Sequence, residues 1–191
     1  MIDVSDLAKY LLYLNRREAE LTGDEAESDM TPMKLQKLLY YCQGYALALT
    51  GGPLFAEPIV AWRYGPVVKS VYDEYKAYKG ACLPFELAAE LPSIDECAKS
   101  IAGLVMRDKA KYSALELVRM THGEKAWREA WEEEESESSP FPNVPLSLAT
   151  MAGDFSTEIV EEMSPEKEDR LWTSVGRELT ASEWEALAPS V

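Results

Sequence analysis

Between Thr31 and Lys79 three element signals follow one another with almost no slack, and this stretch limits the possible folds more than any other part of the chain. Thr31 can accept a hydrogen bond from an orphan backbone N–H at a helix start, and Pro32 sits where its missing N–H costs nothing. Leu35, Leu38, Leu39, Cys42, Ala46 and Leu49 then recur at the three-and-four spacing that puts one apolar stripe on a helix. Gly51, Gly52 and Pro53 end it, because Gly tolerates a left-handed C-cap and Pro cannot continue. From Ile59 to Tyr64 the residues alternate, Val60, Trp62 and Tyr64 against Ile59, Ala61 and Arg63, which predicts a short strand with Pro58 at its edge or beginning. Gly65-Pro66 reads as the start of a third helix. Pro66 would take its first position, Val67, Val68, Val71, Tyr72 and Tyr75 its buried face, and Gly80 its end.

The rest of the chain reads as helical. A first helix is expected from 3 to about 20, capped by Asp3, with Val4, Leu7, Leu11 and Leu14 on one face, and Glu20 to Asp29 as a loop. Leu83 to Leu91, with prolines at its margins, reads equally as a short strand or an irregular connection. Ser93 with Glu96 predicts a capping box for a helix through Ile94, Cys97, Ala98, Ile101, Leu104 and Val105 to about Lys109; Ser113 with Glu116 predicts a second, and Thr121 with Glu124 a third that carries Trp127 and Trp131. After Ser136, Pro140, Pro142 and Pro145 mark a linker, and Leu146, Leu148, Met151 and Phe155 are candidates for docking on the core. Short helices are expected from Pro165 through Trp172 and from Thr180 with Glu183 through Trp184 and Leu187. The fold class is mainly α with a small β element (α+β): a compact helical domain with one short strand or hairpin. Residues 1–135 form the domain, and 136–191 form a Pro/Ser-containing linker with short C-terminal helices packed on it.

At 191 residues the chain can bury a sizeable core without a disulfide or metal staple. Cys42, Cys82 and Cys97 show no CxxC spacing, so mostly buried, reduced thiols are expected. No apolar run approaches the roughly 20 residues that span a bilayer, and Asp3 and Asp6 leave no basic start for a secretory signal. A cytoplasmic protein without a membrane partner is expected. Thirty-four carboxylates against 19 Lys and Arg give a net charge of −15, which repels a phosphate backbone. Two acid-rich stretches stand out, from Glu18 to Asp29 and from Glu132 to Glu137. Each reads either as a solvated surface or as a field that steers a basic partner.

The succession Met33-Lys34-Leu35-Gln36-Lys37-Leu38-Leu39-Tyr40-Tyr41-Cys42-Gln43-Gly44-Tyr45, Pro53-Leu54-Phe55, Ala61-Trp62-Arg63-Tyr64-Gly65-Pro66-Val67-Val68 and Val71-Tyr72 resembles the Panacea domain, the SocA-like antitoxin domain also found in phage-associated proteins. Ser113-Ala114-Leu115-Glu116-Leu117, Thr121-His122 and Trp127 resemble its later part. There Ala126 replaces the usual proline, which leaves room for a continuous helix instead of a break. The resemblance covers roughly residues 3 to 132. It implies direct binding of a cognate toxin protein, with delivery to a protease as a further role in some relatives. The alternative is a prophage-associated nucleic-acid-binding regulator with a winged-helix-like element. Against it stand the net charge and the two charges, Lys34 and Lys37, on the candidate helix.

No enzyme is expected. His122, the one histidine, reads as a structural residue at a helix start, because no nucleophile or orienting acid is signposted for it. There is no GxSxG elbow, Walker loop, dinucleotide fingerprint or HExxH pair, so no catalytic residue, cofactor or metal is assigned. The candidate partner-binding residues are Trp62, Tyr64, Gly65, Pro66, His122 and Trp127, where aromatic anchors stand on a turn. Taken singly, each aromatic reads first as core. Homo-oligomerisation is left open.

Overall fold

The computed structural model describes residues 1–23, 29–89, 91–135 and 144–162. Residues Met1–Ser156 form one compact unit; Thr157–Val191 form a second, of which the end of one helix is described. Among the described residues seven α-helices accompany a two-stranded antiparallel sheet, the α+β class expected. Helix α1 spans Val4–Thr22, with the Asp3 carboxylate accepting from the Ser5 N–H at 2.7 Å. It runs past Glu20 into the expected loop, where Arg16 and Arg17 both pair with Glu20 across its last turns.

Helix α2, Pro32–Thr50, begins at Thr31 and closes at Gly51 in the left-handed conformation, as the sequence predicts. The single apolar stripe is a correction: every residue from Pro32 to Leu47 is buried except the partly covered Met33. Helix α1 and the later helices α4 (Glu96–Lys109) and α5 (Ala114–Gly123) contact α2 together with the sheet, so even its polar side chains lie inside. They are tolerated because each is hydrogen-bonded. Gln43 accepts from the Leu54 N–H at 2.9 Å and donates to the Phe55 carbonyl at 3.0 Å. Gln36 accepts from the Val68 N–H at 2.7 Å, and Lys34 donates to the Ala110 carbonyl at 2.6 Å and to Asp29. Leu49, placed on the stripe by periodicity, is half exposed on the last turn.

Gly65-Pro66 does not start a helix. Strands β1 (Ile59–Trp62) and β2 (Gly65–Val68) form a hairpin in which Trp62 faces Gly65, Ala61 faces Pro66, Val60 faces Val67 and Ile59 faces Val68. Pro66 fits because the Ala61 N–H opposite it turns outward to the Val144 carbonyl at 3.1 Å, so no ladder bond is required of the proline. Val67 and Val68 favour the extended backbone over the helix. The residues of β1 do not alternate between core and solvent, since Ile59, Val60 and Ala61 are all buried. Leu146 donates to the Ile59 carbonyl at 2.8 Å, so the segment at 144–146 closes the free edge of β1.

The helical part of the expected third helix is α3, Lys69–Tyr75, extended by a 3-10 turn at Lys76–Tyr78. The residue with positive φ that ends it is Lys79, not Gly80. The undecided segment from Leu83 contains a 3-10 turn, Phe85–Ala88. Helix α4, Glu96–Lys109, is capped by Asp95 instead of Ser93; the Asp95 carboxylate accepts from the Ala98 N–H at 2.8 Å and adds a favourable charge at the helix start. Helix α5, Ala114–Gly123, has the expected Ser113–Glu116 box.

Thr121 caps nothing. It lies inside α5, its hydroxyl donating to the Val118 carbonyl at 2.9 Å, and α6 (Lys125–Glu135) follows a sharp break at Glu124, ψ 142. The continuous helix allowed by Ala126 is therefore not formed. Helix α7, Leu148–Glu162, brings Met151 and Phe155 into the core as expected, and Leu146 is buried just before it, whereas Leu148 is exposed. The helices expected around Pro165 and Thr180 lie outside the described residues. Cys42 is buried, which pushes its thiol pKa up, but Cys82 and Cys97 are exposed, contrary to a mostly buried set. No described helix is long and apolar enough to cross a membrane.

Candidate partner-binding site

The turn of the β1–β2 hairpin is Arg63-Tyr64, both with negative φ, followed by Gly65 at φ 91. Gly65 is required twice over. Its backbone is one that side chains rarely adopt, and a Cβ there would stand 2.7 Å from Thr121 Oγ1 and 2.9 Å from Lys37 Nζ. Three further contacts fix the backbone around the turn. The Trp127 indole N–H donates to the Trp62 carbonyl at 3.1 Å, the His122 imidazole hydrogen-bonds the Arg63 backbone, and Lys37 Nζ donates to the Pro66 carbonyl at 2.8 Å. Two side chains are left projecting: Arg63, exposed, and Tyr64, 57% exposed, with the guanidinium 5.9 Å from the tyrosine ring centre.

The support comes from where α5 ends and α6 begins. His122 stacks on Trp127 at 3.9 Å between centroids and 17° between planes, and Trp127 stacks on Trp131 at 5.4 Å and 10°. Trp62 meets Tyr72 of α3 edge-on at 4.8 Å. His122 stands in the last turn of α5, not at a helix start, because the break comes two residues later at Glu124. The Glu124 carboxylate is turned to α2, accepting from the Tyr41 hydroxyl at 3.0 Å and from the Tyr40 hydroxyl.

Burial decides the electrostatics. Lys37 is 1% exposed, and desolvation lowers its pKa from the usual lysine range to about 7. His122 is lowered as well, by burial first and by the neighbouring Lys37 second, against an upward pull from the Arg63 backbone. Its Nε2 is buried with no hydrogen-bond partner among the described residues, so a proton there would be poorly solvated. Among the described residues no group of three or more His, Cys, Asp or Glu is placed to hold a metal. A cleft of about 300 Å³ is lined by Arg16, Glu20, Phe85, Glu86 and Ala89 and includes no residue of the turn.

All six candidate residues meet at this one place, although the sequence scatters them over two segments. They divide by exposure. Tyr64 faces solvent and Trp62 is half-buried, while Gly65, Pro66 and Trp127 are buried and His122 is partly covered. The sequence reading missed Arg63, which stands beside Tyr64, and Lys37, read as one of two helix charges. A lysine directly before Leu38-Leu39-Tyr40-Tyr41, in a helix with so many large apolar and aromatic residues, was the available signal. Thr121, read as a cap, instead walls the space beside Gly65.

Residues 35–128 match the family model described as antitoxin SocA-like, Panacea domain. The matched range holds α2 from Leu35 on, the hairpin, α3, α4, α5 and the start of α6, and so includes every residue of the turn and its support except Trp131. No curated protein and no solved structure matches the chain.

Proposed function

The chain carries the Panacea domain of the antitoxin SocA-like family over residues 35–128, and from that premise we propose that it neutralises a cognate toxin protein by direct contact, without chemistry of its own. The observation that carries this reading is the fixed hairpin turn. Tyrosine and arginine are enriched among the residues that dominate binding energy, and here one of each stands on a backbone already held by Lys37, His122 and Trp127. Such pre-organisation lowers the ordering cost of association. The net charge of −15 favours encounter with a basic partner and disfavours nucleic acid, which leaves the regulator reading without support. Delivery of the bound toxin to a protease is compatible with the same surface. The site of action proposed is the cytoplasm.

The test is co-expression with the protein encoded by the neighbouring reading frame, first checked for growth arrest when expressed alone. Growth arrest should be relieved by the chain, and Tyr64→Ala, at an exposed position, should weaken the complex by about 30-fold or more without changing stability. Rescue without a stable complex, or a complex indifferent to both Arg63→Ala and Tyr64→Ala, would refute contact through this turn. A toxin half-life shortened by the chain in cells, and restored when the host's ATP-dependent proteases are deleted, would add the adaptor role.

A further inference from the structure

Helix α6 begins at a buried place, and its first-turn N–H groups have no carbonyl one turn back to bond. Ala126, its second residue, is 1% exposed, and a buried orphan N–H there would cost free energy unless another group supplied an acceptor. The acceptor is Asp154 of α7, whose Oδ2 lies 2.8 Å from the Ala126 nitrogen across 28 residues of sequence. The next residue of α6 is Trp127, which holds the Trp62 carbonyl. Glu129, further along α6, accepts from the Thr150 hydroxyl of α7 at 3.1 Å, so the two helices are tied at a second point.

The residue beside Asp154 anchors it. Phe155 is fully buried, edge-on to Tyr40, Tyr41 and Tyr45 at 5.4 to 5.8 Å, against the face of α2 left open by Gly44. Tyr40 and Tyr41 in turn bond Glu124, the residue at the break. Both sides of the α5–α6 junction are thus referred to α7. Asp154 and Phe155 lie beyond the range matched to the family.

We propose that Asp154 is a positioning residue for the partner-binding turn: by capping α6 from α7 it sets where the Trp127 indole stands, and so how firmly the Trp62 carbonyl and the turn after it are held. This rests on the turn being the binding surface proposed above, but its first readout does not. Removing a cap of this kind costs a helix start about 1 kcal/mol, equivalent to about fivefold in an equilibrium.

The experiment measures hydrogen exchange of the Trp127 indole N–H and of the backbone amides in Asp154→Ala and Asp154→Asn. In Asp154→Ala the Trp127 indole and the amides of Gly65 and Val67 should exchange about fivefold faster, while those of α1 keep their rates. Asp154→Asn, which retains an oxygen acceptor, should recover most of the protection. A second arm uses Ala126→Pro, which removes the donor: in that background Asp154→Ala should produce no further acceleration. Unchanged indole exchange in Asp154→Ala, or equal acceleration of the α1 amides, would overturn the proposal. Toxin affinity is measured last, and should fall about fivefold in Asp154→Ala. If exchange responds and no toxin binds even the wild-type chain, the failure belongs to the proposed function; if exchange responds and affinity stays constant in a toxin-binding chain, the positioning role in recognition is refuted.

Discussion

The ring of Phe155 occupies the space that a Cβ on Gly44 would need, with its nearest atoms 2.2 to 2.5 Å from that position. Two consequences follow from a contact this close. Gly44→Ala must push the ring out of a cup walled by Tyr40, Tyr41 and Tyr45, at a cost of about 1–3 kcal/mol for overpacking. Phe155→Ala leaves a cavity instead, at about 3–5 kcal/mol. The double variant should be more stable than the sum of the two losses allows, by about 0.5–3 kcal/mol, because the methyl on residue 44 then partly fills the space the ring vacated. Urea unfolding of the four proteins measures this. Strict additivity would show that the two residues do not meet.

How much of this was legible beforehand depended on whether the decisive partner was local. The caps of α1, α2 and α5 could be read from sequence because each satisfies its helix from within three residues, as Asp3, Thr31 and Ser113 do. The helix start assigned to Gly65-Pro66 failed because proline at a helix start and proline at an outward-facing strand position look alike. What separates them is the Val144 carbonyl, far along the chain. The Ala126–Asp154 cap was out of reach for the same reason. The candidate residues of the turn were found from aromatic content and motif spacing, but their division into display and support was not. That division depends on which rings α5 and α6 cover.

Glu124 gives a prediction that isolates the break between α5 and α6. Its carboxylate accepts from two tyrosine hydroxyls of the buried helix α2, and the charge beside Tyr40, together with burial as the larger cause, holds that phenol's pKa above its ordinary value. Hydrogen bonds to a charged group contribute about 1.5–3 kcal/mol. Glu124→Ala should therefore destabilise the chain by about 2–4 kcal/mol through the loss of these bonds, whereas Glu124→Gln should cost about half as much. Thermal or urea unfolding at pH 7 reads the difference, and a Glu124→Gln variant as stable as the wild type would mean that the carboxylate's charge is irrelevant there.

Gly65→Ala tests the turn from its other side. The substitution meets both a backbone at φ 91 and the close approach of Thr121 Oγ1 and Lys37 Nζ. A loss of about 2 kcal/mol or more is expected, since alanine at positive φ is strained whatever the space around it. Adding Thr121→Ala should relieve the closest steric contact and leave the Lys37 contact and the backbone part. The residual loss in Gly65→Ala/Thr121→Ala should therefore be about 1–2 kcal/mol, and complete recovery would contradict the strained φ.

The buried amine of Lys37 makes stability depend on pH in a direction opposite to that of an ordinary ion-paired lysine. Its pKa falls from 10.5 to about 7 on folding because the charged form is desolvated, so between those values the unfolded chain binds more protons than the native one. Stability therefore rises with pH across that window, and the full penalty for charging is present below about pH 7. Between pH 7 and pH 9 the gain from this one group is on the order of 2 kcal/mol. His122 adds a slope of the same sign lower down, below its usual 6.5, since burial also depresses its pKa. Lys37→Met removes the titration while leaving the Pro66 carbonyl without its donor, so it shifts absolute stability as well. The informative quantity is the slope: urea unfolding at pH 7, 8 and 9 should show stability rising in the wild type and about 2 kcal/mol less of that rise in Lys37→Met. Parallel pH profiles for the two proteins would mean that Lys37 enters the core already paired, or that it reaches water.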